Sequence, residues 1–175
     1  MRKIVFSFFA FLLALSFGAC DFISANLNSK DNPAAGRIPE PTGEYVNDYA
    51  NLFTQDEIEN LTVKIDNIYK KKDAQILVVT TPDLGDYTIS DYAQRVGEKW
   101  GVGGASTDRG LVIVIKPKNE TRGEAFVATG YGLEGELPDV RCKVIVSDKM
   151  VPYFKQNNYY GAVVNALDYI RLLLD

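Results

Sequence analysis

The stretch LVIVI at residues 111–115 is apolar at every position. Strands of this kind are typical of a sheet that has helices on both faces. A second apolar run, AQILVVTT at residues 74–81, ends at Pro82 and also predicts a strand. Between the two runs the sequence predicts a helix that begins at Ser90 and ends at Gly101. We therefore expect two parallel strands joined by a right-handed crossover, with residues 111–115 at the centre of the sheet.

Further elements on either side extend this unit into a complete domain. Thr54 and Glu57 form a capping box that starts a helix upstream. Two more helices are predicted downstream, from Pro138–Asp139 toward Pro152 and from about Asn158. The polar residues 116–123 predict a hairpin to an antiparallel strand at residues 124–129. This order of elements predicts an α/β fold, a three-layer α/β/α sandwich around a small mixed β-sheet.

The first nineteen residues have the pattern of a signal peptide. Arg2 and Lys3 precede an apolar run at residues 4–17, which is shorter than the roughly 20 residues needed to cross a membrane. The following residues, Gly18–Cys20, resemble a bacterial lipobox, in which the cysteine is acylated and becomes the mature N-terminus. We predict a signal peptide at residues 1–19 and lipidation at Cys20. Ordinary cleavage that leaves Cys20 as a plain thiol is the alternative.

The segment after the signal peptide differs in composition from the rest of the chain. Residues 20–40 are rich in Asn, Ser, Ala, Pro and Gly and contain few apolar residues, which predicts a flexible tether. Residues 41–175 have a normal size for one domain with its own core. The expected location is therefore the bacterial cell envelope, with the exported domain attached to a membrane by the lipid on Cys20.

Composition limits the chemistry that the chain can perform. The protein has no histidine, so catalysis would have to use carboxylates, hydroxyls, lysine or arginine. Its formal net charge of −4 makes it a poor binder of nucleic acid, and we predict no nucleic-acid partner. Cys142 lies among apolar residues, which favours a buried packing role over that of a nucleophile.

Acidic and glycine-rich segments are predicted to meet at one end of the sheet. Asp108 precedes the strand at residues 111–115 and the loop Gly130–Glu136 follows the antiparallel strand, so both belong to the same end, together with Asp73 and Asp139. Carboxylates and backbone carbonyls are ligands for a hard cation, calcium or magnesium. Alternatively, the glycines only form turns and the acids are solvated caps. Both interpretations are compatible with the spacing.

Four segments carry motifs that occur together in a fixed order: VNDYANL at 46–52, WGVG at 100–103, DRGL at 108–111 and GYGLEGELPD at 130–139. Together they resemble the TPM domain, which is named for a thylakoid lumen phosphatase, a photosystem II protein and a nematode receptor modulator. The resemblance covers about Pro39 to Leu174. It implies an α/β/α fold, divalent-cation binding and, in some members, weak acid phosphatase activity. It also implies Asp48, Asp108, Glu134 and Asp139 as metal ligands, and Asp108 as the candidate catalytic residue.

Two functions are compatible with this resemblance. The first is a membrane-tethered, cation-binding interaction module of the cell envelope, which acts in the maintenance or assembly of membrane proteins. The second is a metal-dependent acid phosphatase, in which the cation activates water, Asp108 orients it and Arg109 could clamp phosphate. The interaction module is favoured because the sequence supplies no dedicated nucleophile.

Overall fold

The computed structural model describes residues 37–174. The strands are β1 (Val46–Asp48), β2 (Gln75–Thr80), β3 (Gly110–Lys116) and β4 (Glu124–Thr129). The helices are α1 (Gln55–Lys72), α2 (Ile89–Trp100), α3 (Gly104–Thr107), α4 (Asp139–Val144), α5 (Val151–Phe154) and α6 (Tyr159–Leu173). A 3₁₀ turn (Tyr131–Leu133) follows β4, and a π-helical segment (Ile145–Met150) joins α4 to α5. The predicted signal peptide, Cys20 and the predicted tether up to residue 36 lie outside the described residues.

The four strands form one mixed sheet in the order β1-β2-β3-β4. Strands β1, β2 and β3 are parallel, and β4 is antiparallel to β3. The predicted parallel pair and the predicted hairpin are therefore confirmed. Strand β1 was not predicted, because three residues are too short to show an alternating pattern.

The alternation of side chains along the two central strands explains why both are apolar throughout. Ile76 of β2 and Ile113 of β3 point into the core beneath α1 and α6, whereas Leu77 and Val112 point into the core beneath α2. Each face of the sheet is thus covered by helices, and the three-layer α/β/α sandwich is confirmed.

The helix starts follow the capping chemistry of the sequence, with one shift. The Thr54–Glu57 capping box is present as predicted. The N-cap of α2 is Thr88, not the predicted Ser90, and its hydroxyl accepts a hydrogen bond from the Asp91 N–H at 3.1 Å. Because Thr88 and Ser90 both carry a hydroxyl, the backbone conformation determines which of them is the N-cap. Thr88 has the extended conformation that an N-cap requires.

The predicted helix toward Pro152 is continuous but not uniform. Its middle turns form the π-helical segment, which ends immediately before α5, where Pro152 is in the first turn. Proline has no N–H and its ring clashes with the carbonyl four residues earlier, so a widened turn before it accommodates the ring. The Asn165 side chain on α6 donates a hydrogen bond to the Lys149 carbonyl at 2.9 Å and supports this turn.

The folded region starts before residue 41, where the predicted tether was expected to end. Ile38 is only 8% exposed and packs into the core beneath α2. The Lys99 ammonium donates to the Ile38 carbonyl at 3.0 Å, and the Trp100 indole N–H donates to the Pro39 carbonyl at 3.0 Å. A single isoleucine in a polar segment gives no periodic pattern, so the sequence did not indicate this contact. Among residues 37–174, no helix has the length and hydrophobicity needed to span a membrane.

Candidate functional site

Two loops meet at the end of the sheet where β3 begins and β4 ends. They are the 101–109 loop, which contains α3, and the 130–138 loop. The Gly130 N–H donates to the Gly110 carbonyl at 2.8 Å, and the Gly132 N–H donates to the Asp108 carbonyl at 3.0 Å. The prediction that Asp108 and the Gly130–Glu136 segment lie at the same end of the sheet is confirmed.

Four glycines allow this close approach of the loops. A Cβ atom on Gly103 would collide with the Gly110 backbone, and one on Gly110 with the Val102 carbonyl. A Cβ atom on Gly130 or Gly132 would collide with the backbone of the 101–109 loop. These glycines are therefore required by the packing of one loop on the other, and they give no separate indication of a ligand.

Asp108 links the two loops through both its backbone and its side chain. It adopts the left-handed conformation (φ 48°), which aspartate tolerates better than most residues, and it ends α3. Its carboxylate accepts a hydrogen bond from the Tyr131 N–H at 2.9 Å. The side chain is otherwise exposed, at the mouth of the cleft described below.

Asp48 lies at the opposite end of the sheet. It pairs with Thr80 at the carboxyl end of β2, whereas Asp108 precedes the amino end of β3, which is parallel to β2. The Asp48 carboxylate accepts hydrogen bonds from the Thr80 hydroxyl and from the N–H groups of Leu52 and Phe53, at 3.0 and 2.9 Å. Its role in the structure is to fix the turn between β1 and α1, and it does not join the other predicted ligands.

Glu134 and Asp139 follow β4 at the end of the sheet where Asp108 lies, but they form no closed set of ligands with it. Glu134 ends the 3₁₀ turn, Asp139 begins α4, and both side chains are exposed. Within residues 37–174 no three His, Cys, Asp or Glu side chains are grouped closely enough to hold a metal ion. Calcium takes about 6–8 oxygen ligands, so these residues do not fit the predicted four-carboxylate site, and cation binding stays a prediction.

The Arg109 side chain makes structural contacts within the domain. Its guanidinium forms an ion pair with Glu136 at 2.6 Å and donates to the carbonyls of Lys72 and Asp73 at 3.1 and 3.2 Å. The hydrogen bond with Glu136 raises the pKa of Arg109. The side chain thus ties the end of α1 to the 130–138 loop, and the expectation that it could clamp phosphate finds no support.

The interpretation of Cys142 as a buried packing residue is confirmed. The side chain is 6% exposed, with its sulfur 3.5 Å from the Leu137 carbonyl. Burial, reinforced by the charge of Asp139, raises the pKa of the Cys142 thiol to about 11. A thiol with this pKa is protonated near neutral pH and is a poor nucleophile.

A cleft of about 530 Å³ opens between α2 and the β3–β4 hairpin, next to Asp108. Its walls are mainly small residues of α2, β4 and the two loops: Ala93, Gly97, Gly101, Gly104, Ala105, Ala128 and Gly130. The polar residues along it are Gln94, Glu98, Asp108, Thr129 and Tyr131. Tyr131 is 80% exposed. The sequence did not predict this cleft, because the contribution of α2 depends on how the helix crosses the hairpin.

Gly97 differs from the glycines of the two loops. It lies inside α2, and a Cβ atom there would meet only the Val112 side chain, at an ordinary contact distance of 3.6 Å. Glycine inside a helix costs about 0.5–1 kcal/mol relative to alanine. The fold therefore has room for an alanine at this position, and the glycine leaves that space to the cleft. A glycine within a helical pattern was the one sequence signal that could have indicated the cleft.

Residues 46–172, well over half of the chain, match the TPM domain. The chain belongs to the TPM domain family. No curated protein sequence matches it.

Solved structures of bacterial proteins have the same fold as this TPM domain. The N-terminal domain of a protein from P. gingivalis is 29% identical, with a TM-score of 0.66 over 82% of this chain and 85% of that one. The N-terminal domain of the cg2496 protein from Corynebacterium glutamicum is 14% identical, with a TM-score of 0.61 over 78% and 84%. The BA42 protein from Bizionia argentinensis is 16% identical, with a TM-score of 0.61 over 71% and 83%. The last two likenesses concern the fold alone.

Proposed function

We propose that this TPM domain is a binding module whose site is the cleft between α2 and β4. The observation that carries the proposal is Gly97, a helix-interior glycine that the backbone and the packing do not require and that lies in the cleft wall. A residue that lowers helix stability and is not needed for folding is expected at a functional site, here one that needs open space for a ligand. The small residues on the facing wall, Ala128 and Gly130, extend that space.

The interaction module is preferred over the phosphatase because the side chains that hydrolysis would use are engaged elsewhere. Arg109 is paired with Glu136, and Cys142 is buried with a raised pKa. Asp108 remains exposed, but one of its carboxylate oxygens already accepts the Tyr131 N–H. No observation on the described residues favours the phosphatase alternative.

We further propose that the module acts at a membrane of the bacterial cell envelope, held by acylated Cys20, on membrane proteins that it helps to maintain or assemble. Residues Ile38–Glu40 lie against the end of α2, the helix that forms one wall of the cleft. The composition of residues 21–36 predicts a tether, which would join the folded domain to the lipid on Cys20.

Site-specific photocrosslinking in intact cells tests this proposal. A crosslinking amino acid at Ala105, an exposed residue of the cleft, should give adducts with envelope proteins. The same group at Glu59, exposed on α1 at the other face of the sheet, is the matched control and should give few or none.

Gly97→Leu is the decisive variant, because its side chain would fill the cleft from the helix side. We expect it to remove the adducts at Ala105 while the purified protein keeps its fold, as checked by circular dichroism. Gly97→Ala, which adds one methyl group, should retain them. Adducts that persist in Gly97→Leu, or equal adducts at Ala105 and Glu59, would show that the cleft is not a binding site.

A further inference from the structure

Strand β4 is an edge strand with free backbone groups. In an antiparallel pair, residues that exchange hydrogen bonds alternate with residues whose N–H and C=O groups point away from the partner strand. The hydrogen bond from the Gly130 N–H to the Gly110 carbonyl shows that these two residues form a hydrogen-bonded pair. The next hydrogen-bonded pair along the register is then Val112 with Ala128. The backbone groups of Ala125, Val127 and Thr129 therefore point out of the sheet. Along the described chain no backbone partner contacts them.

The free edge lies directly beside the cleft. Ala128 and Thr129 of β4 form part of the cleft wall, and α2 packs over both β3 and β4. A strand added to β4 would lie about 4.8 Å beyond it. Its side chains opposite Ala128 and Gly130 would project to the face of the sheet that α2 covers. Both of these residues are small, so space is available for the incoming side chains.

Charge identifies the kind of side chain that fits. Glu98 and Asp108 are the charged residues of the cleft, and no lysine or arginine lines it. Glu124 adds a third negative charge at the start of β4 and is exposed. Antiparallel pairing of β4 with itself would bring Glu124 of each copy toward the end of the partner strand beside Asp108, and this like-charge approach disfavours a second copy of this chain. The complementary partner is a basic segment.

We propose that the cleft and the β4 edge together bind an extended, basic segment of another protein. The segment pairs with β4 as a fifth strand and places a lysine or arginine side chain in the cleft near Glu98 and Asp108. Backbone hydrogen bonds supply the pairing, and the pocket beneath α2 selects the alternate side chains. This inference rests on the proposed function, since it names the class of ligand that the cleft takes.

A capped nine-residue peptide of alternating valine and lysine, labelled for fluorescence anisotropy, is the probe. It should bind the full-length protein, and a peptide with glutamate in place of lysine should not. Glu98→Gln and Asp108→Asn should each weaken binding about two- to fivefold, as expected for partly exposed charge pairs. Glu59→Gln, which makes the same charge change on α1, should leave the affinity unchanged.

Backbone methylation tests whether a strand is added. N-methylation of one alternate set of peptide amides should reduce affinity at least tenfold, and methylation of the other set should be tolerated, because only one set faces β4. Equal binding of the two methylated peptides, or equal effects of Glu98→Gln and Glu59→Gln, would overturn the inference. If adducts at Ala105 nevertheless depend on Gly97, the cleft binds a ligand of a different class and the proposed function stands. Absence of those adducts would refute the proposed function itself.

Analytical ultracentrifugation tests the alternative that a second copy of the chain pairs with the β4 edge. We expect a monomer in detergent solution. Ala125→Pro removes only an N–H that points out of the sheet, which an edge strand tolerates. A dimer that this substitution dissociates would overturn the basic-segment proposal in favour of self-pairing.

Discussion

At the scale of single residues, glycines in this domain have two different roles. Gly130 is needed because a side chain would collide with Asp108, whereas Gly97 has room for a methyl group. We expect Gly97→Ala to raise the free energy of unfolding by about 0.5–1 kcal/mol. Gly130→Ala should lower it by about 1–3 kcal/mol because the two loops must separate. Urea unfolding of both variants measures the difference, and a loss of stability in Gly97→Ala would mean that the fold does require that glycine.

Cys142 gives the protein a pH-dependent contribution to stability. Its pKa is raised in the folded state, so the contribution is complete below the unfolded pKa and is lost as pH rises from about 9 toward about 11. Each pH unit in that window should cost about 1 kcal/mol. Cys142→Ala should flatten the decline of unfolding free energy between about pH 9 and 11. A variant that declines as steeply as the wild type would show that the thiol is not responsible.

At the scale of elements, the N-cap of α2 can be assigned by substitution. Thr88 accepts the Asp91 N–H, whereas Ser90 lies inside the helix and its hydroxyl is beside that of Thr88. Thr88→Ala should therefore destabilise the protein by about 1 kcal/mol. Ser90→Ala should have a small effect of either sign. Thermal unfolding of the two variants compares them directly. A larger loss of stability in Ser90→Ala would show that Ser90 is the N-cap of α2, as predicted from the sequence.

Which elements the sequence predicted depends on how local their signals are. The capping box at Thr54, the two strands of the parallel pair and the hairpin to β4 were predicted, because each has a signal within a few adjacent residues. The crossover rule then supplied the pairing of the two strands. Strand β1 and the contact of Ile38 with the core were not, because both depend on neighbours far along the chain. The site followed the same rule. The meeting of the loops around Asp108 came from topology, but the pairing of Arg109 with Glu136 and the cleft beside α2 needed three-dimensional packing.

At the scale of the whole molecule, the two ends of the sheet make the calcium prediction testable. Asp108 and Asp83 lie at opposite ends, before β3 and after β2. A site built from few carboxylates should have a Kd of about 10⁻⁴–10⁻³ M, as in extracellular calcium modules. Tm should begin to rise as calcium passes about 0.1–1 mM, and the gain should reach about 2.7 kcal/mol at 100 times the Kd, about 10–100 mM. Asp108→Asn should remove this rise and Asp83→Asn should retain it. Equal responses of the two variants, or saturation at micromolar calcium, would contradict the expected site.

Membrane attachment is predicted to depend on one residue. Wild-type protein should fractionate with membranes and show a diacylated N-terminal Cys20 by mass spectrometry. Cys20→Ser should abolish the modification, and the protein should no longer be recovered with the membrane. A soluble wild-type protein with an unmodified thiol would favour ordinary cleavage instead.

The strands lie in the sheet in the same order as they occur in the chain. If the chain is exported as predicted, as an unfolded polypeptide from its N-terminus, each new strand therefore finds its neighbour already in place. The sheet can be assembled vectorially, without a gap left for a later segment. The core beneath α6 differs, because Val163, Ala166, Leu167 and Ile170 are supplied by the last helix to emerge. Until that helix arrives, α1 covers only part of that face of the sheet, and the remaining apolar surface is open to aggregation or to a chaperone.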